Sequence, residues 1–383
     1  MVTLRGMSRW QQIAVAAAAV ALLLIILDFG FFLRPGPFES LVGLAQHAYV
    51  LVVLLLITAS TRTVSIPSLG AFWLVGVFPV VLFAIALTWV PADMLGTGAN
   101  SLVPTVLVPI VDVVAYLLPV AAYYFFVARG DNLQPAASDG LLIGFAVGAG
   151  YAFHEDAFVG ELANSGSGWF ETQPWSLLAP TISPIGADGL GLNHGLWAAL
   201  CGLSFGVAFL FRHRRSAWLI ALVGPVLAVL NHGLFNTLAS DPFLGAGRGT
   251  MPPLAALVDL VTVSGKLPLL TVFVGAILVV LLEWRMLGWV AVRVSRYPAV
   301  SLVMLGRLLA QARSATGVAR FIAAARYARF RRLVYFAAWR VERTGVDASA
   351  APQMRAHLGG LAERAGLGDA APPVGKPALD MPL

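Results

Sequence analysis

The chain has 383 residues, of which 59% are hydrophobic and only 11% charged, with a mean hydropathy of +0.83. Soluble domains carry about 25% charged residues, so this composition excludes an ordinary water-soluble globule and points to lipid as the main solvent. The net charge of +6 is concentrated after the last long apolar run, which favours membrane-surface contact over nucleic-acid binding. Cys201 is the single cysteine, so no internal disulfide staples the fold.

The N-terminus places Arg5 and Arg9 before an apolar run from Ile13 to Leu27. Without a small-x-small cleavage site after it, this reads as a retained signal anchor. Spanning helices need about 20 apolar residues, and the sequence predicts eight, at 12–33, 41–60, 69–90, 102–128, 139–161, 188–211, 216–239 and 267–291. The apolar stretch Pro252 to Val263 is too short to cross and is expected to be re-entrant or interfacial. Arg62, Arg129, Arg212, Arg214, Arg215, Arg285, Arg293 and Arg296 mark one set of helix ends, and Asp93, Glu161, Glu171 and Asp241 the other. The positive-inside rule then puts both termini in the cytoplasm of a bacterial cell, with the bundle in the plasma membrane.

Gly140, Gly144 and Gly148 recur every four residues, as do Gly202 and Gly206. Each set forms a smooth helix face that lets backbones approach closely in lipid, so these two helices are expected at the centre of the bundle. Beyond Arg296 the residues 299–344 mix Arg with Leu, Val, Phe and Trp. Val318, Ile322, Phe330, Leu333 and Ala337 can share one face, predicting basic amphipathic helices on the anionic inner leaflet. The expected organisation is thus an all-α polytopic transmembrane bundle over 1–292, a basic amphipathic cytosolic region over 293–368 and a disordered tail over 369–383.

Ionisable groups inside spanning helices are expensive and usually functional. Asp112, His154, Glu155, Asp156, His194 and His232 all fall within predicted spans. At 1.5 Å per residue, Asp112, Glu155, His194 and His232 lie about 9–15 Å below the outer surface, in one layer. Asp112 and Tyr116 are four apart, as are His232 and Asn236, so each pair shares a helix face. A lone membrane histidine is as readily an interhelical contact as a functional group. Four groups at one depth predict a cavity.

The stretch 138–159, SDGLLIGFAVGAGYAFHEDAFV, resembles the segment of PrsW-type intramembrane proteases that carries Phe-x-x-x-Glu followed by Asn. Here the positions are Tyr151, Glu155 and Asp156. The run from His194 through Trp197 to Gly202 and Gly206 is similar to that family's next motif, and His232-Gly-Leu-Phe-Asn236 to its final His-x-x-x-Asn. Residues 109–119 align with a Glu-Glu-x-x-Lys helix but carry Asp112-Val113 and Tyr116 in its place. The core of the resemblance spans about residues 100–240.

The resemblance implies a glutamic mechanism in which Glu155 or Asp112 activates water for attack on a peptide carbonyl. His194 would assist, and His232 with Asn236 would stabilise the oxyanion. The substrate would be a membrane-anchored protein. Asp112 is one methylene shorter than Glu, which shifts a base by about 1 Å, a misplacement worth on the order of 100-fold. A metal-free site is preferred, with no cofactor. Zinc is the alternative, since two histidines plus a carboxylate leave a coordination position for water. Two other functions compete: an inactive relative that scaffolds or regulates membrane proteins, and a transporter of small solutes or protons. No clear internal repeat of the kind transporters show is present.

Overall fold

The computed structural model describes residues 37–84, 86–87, 106–130, 134–163, 193–238, 266–293 and 302–344, with positions 257, 260, 360 and 362–364. The predicted first span, the 252–263 segment and the 369–383 tail lie outside these, apart from positions 257 and 260. Every regular element described is helical, in agreement with the all-α expectation. In chain order they are α1 (Pro37–Ile57), α2 (Ile66–Val75), α3 (Val108–Gly130), α4 (Ala137–Ala163), α5 (Asn193–Leu210), α6 (Ala217–Leu238), α7 (Lys266–Arg293), α8 (Leu302–Ala310) and α9 (Ala315–Thr344). Among the described residues three stretches are long and apolar enough to cross a membrane: Ile66–Ala84, Val108–Ala128 and Leu270–Val290. Shorter apolar helices cover His47–Ile57, His194–Leu210 and Ala217–Gly233.

Local chemistry explains the element boundaries. Ser65 caps α2, its hydroxyl accepting the Ser68 amide at 3.2 Å. The helix then widens into a π turn over Gly76–Val80 around Pro79, which has no N–H for the regular ladder. The start of α4 is capped from another helix. The Glu283 carboxylate on α7 accepts the Ser138 amide and hydroxyl, both at 2.8 Å.

The glycine stripes do what their spacing implies. A Cβ on Gly140, Gly144 or Gly148 would strike the backbone carbonyl of Gly202, Ala198 or His194 respectively. These pairs march in opposite directions, so α4 and α5 run antiparallel in backbone contact at the centre of the bundle. A Cβ on Gly150 would likewise meet the Trp73 carbonyl, and one on Gly76 the Val147 carbonyl, which seats α2 on another side of α4. Small residues replace the interlocking side chains that would otherwise hold these helices apart.

Arg62, Arg212 and Arg332 lie at the end of the bundle where α4 begins, Arg212 donating to Gln134 at 2.6 Å and Arg332 to the Arg62 carbonyl. Asp139 on α4 accepts the Thr63 and Val64 amides at 2.6 and 2.8 Å and also the Thr63 hydroxyl. Arg332 on α9 donates to the carbonyls of Ala59 and Arg62 at 3.0 and 2.6 Å, tying α9 to the α1–α2 turn. Burial brings the Arg332 guanidinium down to about 10, with Arg62 adding to the fall, so it keeps its charge at neutral pH.

That attachment sets which residues of α9 meet the bundle. Of the five residues expected to share one face, Leu333 and Ala337 are buried, Phe330 is half-buried, and Val318 and Ile322 are 42% and 43% exposed. The bundle instead receives Tyr335, Phe336 and Trp339, all in the main core, with Trp339 edge-on to Phe211 at 5.9 Å. Upstream, Ala323 and Ala324 pack on Leu305 and Leu308 of α8. Aromatic burial outweighs the thinner aliphatic stripe, since each aromatic ring removes 150–250 Å² from water.

Candidate active site

Four helices supply the site. On α3, Asp112 and Tyr116 stand one turn apart and face inward, 1% and 0% exposed. On α4, Tyr151 lies three residues past Gly148, where the close approach to the His194 carbonyl brings α5 alongside. His194 and Trp197 follow on the first turns of α5, and Asn231 and His232 lie towards the end of α6. Asp139 and Tyr151 are 12 residues apart on α4, so the site sits about 18 Å along the helix from the arginine-rich end.

Asp112, His194 and His232 each offer a ligand atom, and these atoms all lie within 4.8 Å of one another. The Asp112 Oδ2 is 3.6 Å from His232 Nδ1. The imidazoles of His194 and His232 meet edge to face, centroids 5.2 Å apart at 87°. The matched-depth argument therefore brought three of its four residues together.

Around this trio runs an outer layer that the sequence reading had not assigned a role. The Tyr151 hydroxyl donates to Asp112 Oδ1 at 3.0 Å. The Tyr116 hydroxyl and His194 Nδ1 share a hydrogen bond of 2.5 Å. Trp197 stacks on His232 with centroids 4.1 Å apart at 18°, and its Nε1 donates to Asn231 Oδ1 at 2.7 Å. The available signal was spacing: Tyr116 is one turn from Asp112, and Trp197 one turn from His194.

The remaining expected residues stand elsewhere or beyond description. His154 is half-buried, edge-on to Phe78 at 5.8 Å, and is not part of the trio. Asn236 is half-buried one turn past His232. Glu155 is on α4, one turn beyond Tyr151, but its side chain and that of Asp156 lie outside the described residues. His47 is buried against Phe145 with centroids 6.0 Å apart.

A family model described as PrsW family intramembrane metalloprotease matches residues 65–265, just over half of the chain. The chain belongs to the PrsW family. No curated protein and no solved structure matches it. The matched region runs from the cap of α2 past the end of α6, and so contains all seven residues of the site. Membership makes this a membrane protein of an intramembrane protease family. The family's description names a metal where the residue-level resemblance pointed to a glutamic mechanism.

The donor set fits a divalent ion. One carboxylate and two imidazoles are the ligand types of catalytic zinc, with one position left for water. Ligand atoms of one tetrahedral zinc lie about 3.4 Å apart, so a trio within 4.8 Å needs only small side-chain adjustment to close on it. The outer layer has the form such sites use, each ligand being oriented by a second hydrogen-bonding or stacking partner.

Proposed function

We propose that this PrsW-family protein is a metal-dependent endopeptidase that cuts a membrane-anchored protein within or beside the bilayer. The convergence of Asp112, His194 and His232 from three helices carries this reading. Burying three polar groups at one point costs several kcal/mol unless they are mutually satisfied or hold an ion.

In this reading Asp112, His194 and His232 are the ligands. Asp112 thus moves from base to ligand, because Oδ1 is engaged by Tyr151 while Oδ2 faces His232. Tyr116 accepts the Nδ1 proton of His194, which makes Nε2 the nitrogen that would bind the ion. Tyr151 holds the Asp112 carboxylate in one rotamer. Trp197 fixes the plane of His232 and, with Tyr116, shields the site from bulk water. A bound divalent ion supplies Lewis acidity toward the scissile carbonyl and toward a water, whose pKa falls to about 7 on zinc. Glu155, one turn from Tyr151, takes a proton from the attacking water and delivers it to the departing amine. Asn236 stays a candidate oxyanion donor, one turn past His232.

Two departures from the resembling motifs fit together here. Tyr151 replaces Phe and Asp112-Val113 replaces the Glu pair, and the added hydroxyl reaches the shorter carboxylate. Tyr116 stands where Lys is expected, and its hydroxyl reaches His194.

We further propose a multi-pass arrangement in the plasma membrane, with the arginine-rich end and both termini cytoplasmic. Exposed Leu309, Val318 and Ile322, beside Arg307, Arg313 and Arg320, would contact anionic lipid.

The test uses full-length protein in detergent with fluorescein-labelled casein as a generic substrate. Wild type is expected to cleave, to lose activity to a chelator and to regain it with zinc. Glu155→Gln, Asp112→Asn and His232→Ala should each abolish cleavage, and only the last two should also lower zinc content. Chelator-resistant cleavage would return the metal-free mechanism. Wild-type protein that neither cleaves nor binds zinc would leave the scaffold reading.

A further inference from the structure

Asn231 precedes His232 on α6 and is only 3% exposed. Its carboxamide oxygen faces Trp197 Nε1 at 2.7 Å. An indole N–H donates and never accepts, so this contact fixes the amide orientation: oxygen to Trp197, NH₂ away from it. That buried Nδ2 meets no acceptor among the described residues. Leaving a buried donor unfilled costs about 1–3 kcal/mol, and such a donor is met by a ligand, an ion or an ordered water.

The place of the orphan donor matters. The same indole lies flat on the His232 ring and edge-on to His194, centroids 4.1 and 4.9 Å away. One ring therefore positions a proposed ligand with its face and the Asn231 carboxamide with its edge. Asn231 lies about 100° round α6 from His232, on the side of α5, whereas Asn236 shares the His232 face one turn on. The two asparagines are not interchangeable.

We propose that Asn231 Nδ2 is a substrate-contacting donor that binds the scissile carbonyl oxygen, with Trp197 as its positioning residue. This rests on the protease reading above. In hydrolysis the water oxygen forms a bond to the carbonyl carbon and the carbonyl π pair moves onto oxygen. The C–N bond then breaks, and the amine leaves with the proton that water lost. Asn231 exchanges no proton. Its N–H stabilises the charge that develops on the carbonyl oxygen, and a neutral amide does so without adding charge beside the three ligands.

Four proteins are compared as full-length chains in detergent: wild type, Asn231→Asp, Asn231→Leu and Trp197→Phe. Asn231→Asp keeps the acceptor for Trp197 and removes the donor. Asn231→Leu keeps the approximate size and removes both. The readouts are kcat and KM on fluorescein-casein, zinc content, thermal unfolding, and affinity for a peptidyl phosphonamidate, whose tetrahedral oxyanion imitates the developing charge. Both Asn231 variants should lose about 100- to 1,000-fold in kcat, with unchanged KM and zinc content, and lose phosphonamidate affinity in step. Trp197→Phe should fall between them and wild type. Wild-type turnover with kcat retained in both Asn231 variants overturns the inference and leaves the protease reading intact. A kcat loss that tracks lost zinc or lost folding also overturns it. Wild type that binds the phosphonamidate without cutting casein, with binding lost in the variants, upholds the donor while sinking turnover of that substrate. Wild type that does neither overturns both.

Discussion

Tyr151→Phe removes one oxygen atom and nothing else. Phenylalanine stands at this position in the motif the segment resembles, and the ring contacts to Tyr116 and His194, at 5.4 and 4.7 Å, survive the change. What disappears is the 3.0 Å hydrogen bond to Asp112 Oδ1, made between side chains 8% and 1% exposed. A hydrogen bond to a charged acceptor is worth about 1.5–3 kcal/mol, which converts to about 10- to 150-fold in an equilibrium or rate constant. Zinc affinity should fall within that range, close to the 10–100-fold typical when an outer partner of a metal ligand is removed. The assay is competition against a chromophoric chelator in detergent, run beside kcat/KM on labelled casein. A double-mutant cycle with Asp112→Ala supplies the internal check, since the tyrosine effect should vanish once its acceptor is gone. Equal zinc affinity and equal kcat/KM in Tyr151→Phe and wild type would refute the claim that this hydroxyl supports Asp112.

Gly148→Ala places a Cβ on the His194 carbonyl, so α4 and α5 must part, with an expected loss of about 1–3 kcal/mol in thermal unfolding. Gly288→Ala on α7 meets open space and should be neutral or stabilising by up to about 1 kcal/mol. Arg332→Met forfeits two charge-assisted bonds to the α1–α2 turn and should lower the unfolding temperature, with a cost of about 2–4 kcal/mol. Co-sedimentation of the 299–344 segment with anionic vesicles should weaken as salt rises, and equal binding to neutral vesicles would count against the lipid contact.

Much of the frame was legible because lipid imposes it. Apolar run lengths located the helices, and the four-residue glycine spacing identified the central pair. Asp112, His194 and His232 were visible because a charge or an imidazole inside an apolar run has few reasons to be there. Their partners were hidden for the opposite reason. Tyr116, Tyr151 and Trp197 look like ordinary core aromatics until the rotation of each helix about its axis is known, and that rotation is set by contacts such as Gly148 against His194. The same ambiguity applies to α9. A stripe that faces lipid and a stripe that faces protein obey one periodicity, and only the partners of Tyr335, Phe336 and Trp339 distinguish them. Glu155 was singled out by its depth and its motif position, and its side chain lies outside what the structure describes.

The docking of α9 into the core also has a temporal meaning. During synthesis the residues that cross or line the membrane emerge well before Tyr335, Phe336 and Trp339 leave the ribosome. Until they do, the bundle lacks three aromatic side chains of its interior and the guanidinium that ties down the α1–α2 turn. A stop codon between positions 294 and 331 would therefore remove none of the proposed catalytic residues and yet leave their scaffold unfinished, so loss of function in such truncations would report assembly rather than chemistry.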